Sequence, residues 1–270
     1  MKKSFYLLVV SILTIWLFAC TPSSDVGGSG GDIGSGDGGS DGINGSYTAM
    51  IAVDDRLYYV DNTTLFTSDI SNPANIQVID QQDVGNNIET LFHRKGLIFI
   101  GSGPALYIYE LDDNRVPQRV SETVYERFSQ DMVPCDPVVA DDQYAYVTLS
   151  SNIPDIFANG CQRFTPVNEL RIYDITDIET PMLVSTTDMT EPKGLAVDGD
   201  ILFVCDSAAG LKVYDVSDRV NPQLLYSFED EETYDVIARG GLLVVTGPSA
   251  IMEYDYSDIS NMSLIGTFGI

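Results

Sequence analysis

Glu89, Asp136, Lys193 and Tyr234 are the residues of this chain whose types suit a small polar site. Two carboxylates, an ammonium and a phenol could hold a polar ligand or a cation between them. They stand 47, 57 and 41 residues apart, so only a repeated architecture can gather them. His93, in "LFHRKG", is the single histidine, and an isolated imidazole there reads as structural. With one His and no C-x-x-C, zinc has too few ligands. Gly27–Gly31 and Gly38–Gly42 fit the G-x-S-x-G pattern of serine hydrolases, but no strand precedes them and no helix follows. No catalytic residue and no metal ligand is therefore assigned.

The architecture that would gather the four is written in a refrain. "ELRIYDITDIETPMLVSTT", "GLKVYDVSDRVNPQLLYSFE" and "AIMEYDYSDISNMSLIGTF" are variants of one phrase. Anchored on its acidic residue, five copies stand at Asp69, Glu110, Asp174, Asp215 and Asp255, with separations of 41, 64, 41 and 40 residues. Seven positions after each anchor come Ile76, Pro117, Pro181, Pro222 and Met262. Upstream, apolar runs fall in step at Leu57–Val60, Leu97–Ile100, Tyr144–Val147, Ile201–Val204 and Leu242–Val245. By this register His93 matches Val53, Ala140, Val197 and Ala238. Each unit holds four short β segments, and a period near 41 predicts an all-β fold, a β-propeller of about five four-stranded blades. The ring is expected to close by blade one packing on blade five. The repeated acid is expected to satisfy backbone N–H groups of the following turn.

The refrain and its period resemble the LVIVD-repeat proteins, a bacterial propeller-like family common among lipoproteins. The resemblance covers residues 47–270, and its marks are "LRIYDITD", "LKVYDVSDRVNP" and "CDPVVADDQYAYVTLSS". It implies the propeller and an envelope location, and it names no activity.

The beat fails once. Blade three carries about 17 extra residues within Ser150 to Asn168, and six or seven more lie between blades two and three. In a four-strand meander both insertions leave from the same rim. Cys135 lies in one and Cys161 in the other, which in an oxidising compartment suggests a disulfide. It would be worth roughly 3–4 kcal/mol for a loop of about 27 residues. Cys205, ending a strand in "LFVCDS", reads as a small buried apolar residue. Glu89, Asp136, Lys193 and Tyr234 enter successive inner strands on the inserted rim, with Ala49 their counterpart in blade one.

The N-terminus sets the expected location. Lys2 and Lys3 precede an apolar stretch, Phe5 to Phe18, too short for a comfortable span of a bilayer about 30 Å thick. Leu17-Phe18-Ala19-Cys20 resembles the lipobox of bacterial lipoproteins, whose Cys becomes the lipidated first residue. The expected organisation is a signal peptide at 1–19, lipidated Cys20 with a Gly/Ser/Asp linker to 46, and the propeller at 47–270. Thr21 after Cys20 favours the outer membrane by resemblance to retention rules. Losing Lys2 and Lys3 from 14 basic residues leaves 12 against 40 acidic ones, a net charge of −28. That excludes nucleic acid and anionic headgroups as partners of the protein surface. The expected function is a non-catalytic, membrane-anchored propeller that binds a protein or glycan through its inserted face, without a cofactor. A lactonase-like hydrolase with Ca2+ in the channel, or a structural subunit of an envelope complex, are the alternatives.

Overall fold

Segments that alternate apolar and polar residues, four to eight long and broken by Asp, Asn and Gly, make strands that bury one face or both. The computed structural model describes residues 49–61, 63–85, 88–125, 137–150 and 167–270, and these form five antiparallel sheets of four strands in meander order. Blade one is β1 (Met50–Val53), β2 (Arg56–Val60), β3 (Thr64–Asp69) and β4 (Gln77–Asp83). Blade two is β5 (Ile88–Arg94), β6 (Leu97–Ser102), β7 (Ala105–Leu111) and β8 (Pro117–Val124). Blade three is β9 (Val138–Ala140), β10 (Tyr144–Ser150), β11 (Asn168–Asp174) and β12 (Met182–Asp188). Blade four is β13 (Leu195–Asp198), β14 (Ile201–Cys205), β15 (Leu211–Asp215) and β16 (Gln223–Phe228). Blade five is β17 (Asp235–Arg239), β18 (Leu242–Thr246), β19 (Ala250–Asp255) and β20 (Ser263–Gly269).

The blades pack face on face. In blades one to four, one face of the sheet presents an aromatic side chain from the middle of the second strand: Tyr58, Phe99, Tyr146 and Phe203, each with no exposed surface. Each plugs the opposite face of the following blade. Phe99, Leu106 and Ile108 meet Val138, Ala145 and Val147. Tyr146 and Ile172 meet Leu195, Leu202 and Val204, and Phe203 and Val213 meet Leu243 and Val245. Tyr58 and Leu65 likewise meet Leu91, Ile98 and Ile100.

Each plug is finished by the next blade's turn between its third and fourth strands. Tyr58 Oη donates to the Arg115 carbonyl at 2.8 Å, while Arg115 pairs with Asp55. Tyr146 Oη donates to Asp141 at 2.7 Å and accepts from Arg219 Nε at 3.2 Å. Where the plug is Phe the closure is apolar. Phe203 meets the Tyr256 ring at 4.9 Å, and Tyr256 Oη donates to Asp198 at 2.6 Å. Burial pushes the Tyr58 hydroxyl up to about 12.

The fifth junction differs from expectation. No hydrophobic cluster joins blade five to blade one among the described residues. The plug position of blade five holds the half-buried Val244, and the facing surface of blade one leaves Met50 60% exposed. Valine is too short to plug, and the blade-one turn Ser71-Asn72-Pro73-Ala74 has no Arg or large apolar residue to close over it. Pairing also corrects blade one's register: Arg56 opposes Asp69 as Leu97 opposes Glu110, so the counterpart of His93 is Ala52, not Val53. A charged first residue hid that strand's start.

The acidic refrain caps turns. Asp69, Asp174, Asp215 and Asp255 accept from the backbone N–H two residues on, at 2.9, 2.8, 2.8 and 2.9 Å. Three residues later Asn72, Asp177, Asp218 and Asp258 repeat the same bond. Opposite the middle of the third strand every outer strand carries one extra residue, namely Ile79, Val120, Val184, Leu225 and Ile265. Such a bulge bends and twists an edge strand, which discourages edge-to-edge pairing.

Two outcomes follow. Phe203→Ala should lower stability by about 3–5 kcal/mol in urea unfolding, whereas Val244→Ala, at an unplugged junction, should cost under about 1.5 kcal/mol. Hydrogen bonds from the following Ser or Thr side chain and backbone hold Asp69, Asp174, Asp215 and Asp255 below the usual carboxylate range. A depressed folded value gives stability that is present above the unfolded value and lost as pH falls through the folded one. Urea midpoints should therefore drop as pH goes below about 4, and less steeply when all four are Asn.

Candidate functional site

The inner-strand starts of blades four and five are held by hydrogen bonds within and between blades. Lys193 N–H donates to the Cys205 carbonyl at 2.7 Å, and Gly194 N–H donates to the Tyr234 carbonyl at 2.9 Å. Thr148 Oγ1, from blade three, donates to the Lys193 carbonyl at 2.6 Å. One dipeptide thus ties blades three, four and five together. Only glycine fits at 194, because a Cβ would lie 2.7 Å from the Asp235 Cα and 2.0 Å from its Oδ1.

This stitching brings two of the expected residues together. Lys193 Nζ lies 4.5 Å from the Tyr234 ring centroid and 3.8 Å from Glu191 Oε1. Desolvation, then the charge and hydrogen bond of Glu232, raise the Tyr234 hydroxyl above its ordinary value. Ser207 Oγ donates to Glu232 at 3.2 Å. Buried Asp206 accepts from Glu191 N–H at 2.7 Å and Thr190 N–H at 3.0 Å, fixing the crossover into blade four. Burial raises its pKa. Glu89 is half-buried in β5 and has an interaction of its own. Asp136 lies outside the described residues, as do Cys20, Cys135 and Cys161; Cys205 is a buried free thiol. The same register correction moves the blade-one counterpart from Ala49 to Thr48, outside the described residues. The cluster built here is a cation on a phenol between two carboxylates, suited to binding charge.

A second feature of this rim was not assigned from the sequence. Both insertions leave from it, one after Tyr125 and one after Ser150, returning at Pro137 and Val167. From those ends a cleft of about 400 Å³ runs down the flank between blades two and three, from Val124 and Glu169 near this rim, past Arg171, to Tyr173, Met182 and Leu183 toward the other. Arg171 and Glu169 form a buried ion pair at 2.8 Å, and the Arg171 guanidinium sits 5.8 Å from the Tyr125 ring centroid. The signal was present in "NELRIYD", where two charges occupy the strand face that blade five fills with Met252 at the matching position. The acidic run Glu229–Glu232 likewise foreshadowed the partners of Tyr234.

Glu232→Gln removes the charge that disfavours phenolate, so the Tyr234 titration should move down toward the ordinary value of about 10. With 15 tyrosines in the chain, tyrosine-selective NMR against a Tyr234→Phe assignment control resolves it.

No protein-family model matches the chain, and no curated protein matches it in sequence. Solved structures do match in fold. A protein from Lactobacillus plantarum is similar at 12% identity and a TM-score of 0.58 over 80% of this chain and 69% of that one. BamB from Moraxella catarrhalis is similar at 13% identity and a TM-score of 0.53, over 82% of this chain and 63% of that one. Sqt1 from Saccharomyces cerevisiae follows at 8% identity and 0.53, over 80% and 60%. The chain spans only 60% to 69% of the length of these three structures. At such identities the likeness speaks for fold alone, and the fold of this chain is a β-propeller of five four-stranded blades.

Proposed function

We propose that this chain is a lipid-anchored envelope protein whose propeller binds a protein or glycan partner through the rim that carries both insertions. The observation that carries the reading is the coincidence of four features on that rim. The two insertions leave there, the cleft over the Glu169–Arg171 pair opens beside them, and Lys193 rests on Tyr234 along the same edge. Propeller loops are held by a rigid scaffold, which favours binding by preorganised surfaces. A cleft with a half-apolar lining and one buried ion pair gives a partner both contact area and a polar register.

Cys20 is the proposed anchor, with the Gly/Ser/Asp linker to residue 46 as a spacer. A flexible chain of 26 residues has an end-to-end distance of about 25–30 Å, enough to hold the rim clear of lipid. The resemblance to LVIVD-repeat lipoproteins supports this placement, with the outer membrane the favoured location.

Two assays test the reading. Removing residues 151–168 from the full chain should abolish retention of its ligand on glycan arrays or in pull-downs from detergent-solubilised envelopes. Unchanged retention would contradict a role for this rim. Cys20→Ala should abolish metabolic labelling with palmitate and release the protein to the soluble fraction; labelling that persists would contradict the anchor.

A further inference from the structure

Blade five has an unpaired face of the kind that every other blade buries. At each of the four internal junctions, the face carrying the second-strand plug is covered by the next blade. In blade four the residues at these positions, Ala196, Phe203 and Leu211, are at least nine-tenths buried. Of their counterparts in blade five, Ile237 is 36% exposed and Val244 and Ile251 are only partly buried, and the adjoining Leu242 is 41% exposed. The pairing ladder places these four on one side of the sheet.

This apolar strip has an acidic edge. Glu253 is cross-strand from Val244, and Asp255 from Leu242. Arg239 is the basic residue of this face among those described. An excess of acidic residues around apolar area favours a partner of the opposite sign and disfavours acidic surfaces.

We propose that the open face of blade five is a docking surface for a basic amphipathic segment of another protein. The segment's apolar side chains would take the position of a following blade, at the roughly 10 Å spacing of stacked sheets. Its Lys or Arg side chains would meet Glu253 and Asp255. A second copy is the poorer occupant. The face it would bring, Met50, Ala52, Leu57, Tyr59 and Phe66, carries no base, and the whole chain is at −26. An anionic membrane surface is repelled by the same edge. This surface is independent of the inserted rim.

The test uses the full chain and two synthetic peptides of about ten residues, one alternating Leu and Lys, the other a scramble of the same composition. Calorimetric titration is run near 150 mM salt, where the screening length is about 8 Å and loose charge pairing is weak. The alternating peptide should bind saturably, one per chain, and the scramble at least about tenfold more weakly. Ile237→Ser and Glu253→Lys should each weaken the alternating peptide by about tenfold, a difference of about 1.4 kcal/mol. Both positions are exposed or nearly so, and unchanged melting temperatures confirm folding. Deleting 151–168 should leave this binding intact, which separates it from the rim. Equal binding of both peptides, no binding, or binding indifferent to both substitutions would overturn the proposal. So would a concentration-dependent dimer that Ile237→Ser abolishes, because a second copy would then be the occupant.

Discussion

The fold depends on one aromatic ring per junction. A four-stranded sheet with both faces apolar has no stable life alone, and each blade here is covered only by its neighbours. Burying a ring removes on the order of 150–250 Å² from water, worth a few kcal/mol at about 25 cal/mol per Å². Tyr58, Phe99, Tyr146 and Phe203 each supply that increment at the centre of a junction. The two Tyr plugs add a hydroxyl that must find partners inside, and Arg115 and Arg219 bring them from the next blade. Where the plug is Phe, no Arg is engaged and apolar residues close the site. Val244 breaks this rule, and with it the ring loses its fifth lock.

Much of this was legible in the chain. Period, strand count and turn caps follow from local chemistry repeated five times. Asp215 caps Ser217 for the same reason that Asp174 caps Thr176, because each carboxylate reaches only two residues along the backbone. The failures came where the decisive contact is between blades. Arg56 opens β2 with a charge, so an apolar ruler placed that strand one residue late. Closure of the ring was inferred from counting blades, yet it depends on whether residue 244 can fill a hole in blade one. Glu169 and Arg171 looked like ordinary charges until Tyr125, from the end of the preceding blade, came to lie beside them.

The candidate rim obeys the same logic. Lys193 and Tyr234 are 41 residues apart and meet only because Gly194 lets blade five approach to backbone contact. Their environment, with Glu191, Glu232 and buried Asp206, was not visible in any single motif, since it draws on the starts of two blades and the loop of one. The site is therefore a product of blade packing, and any loosening of the blade four–five junction should reach it.

The claim that four junctions are locked and the fifth is open is tested most directly by distances between equivalent points. Ala74, Glu179, Val220 and Ser260 occupy one position of the repeat, five residues past the anchor of blades one, three, four and five, and all are exposed. Spin labels placed on pairs of these can be measured by pulsed electron resonance. The 179–220 and 220–260 separations should be nearly equal and sharp, and the 260–74 separation clearly longer. A 260–74 distance equal to the other two would mean a closed five-bladed ring and would contradict this account.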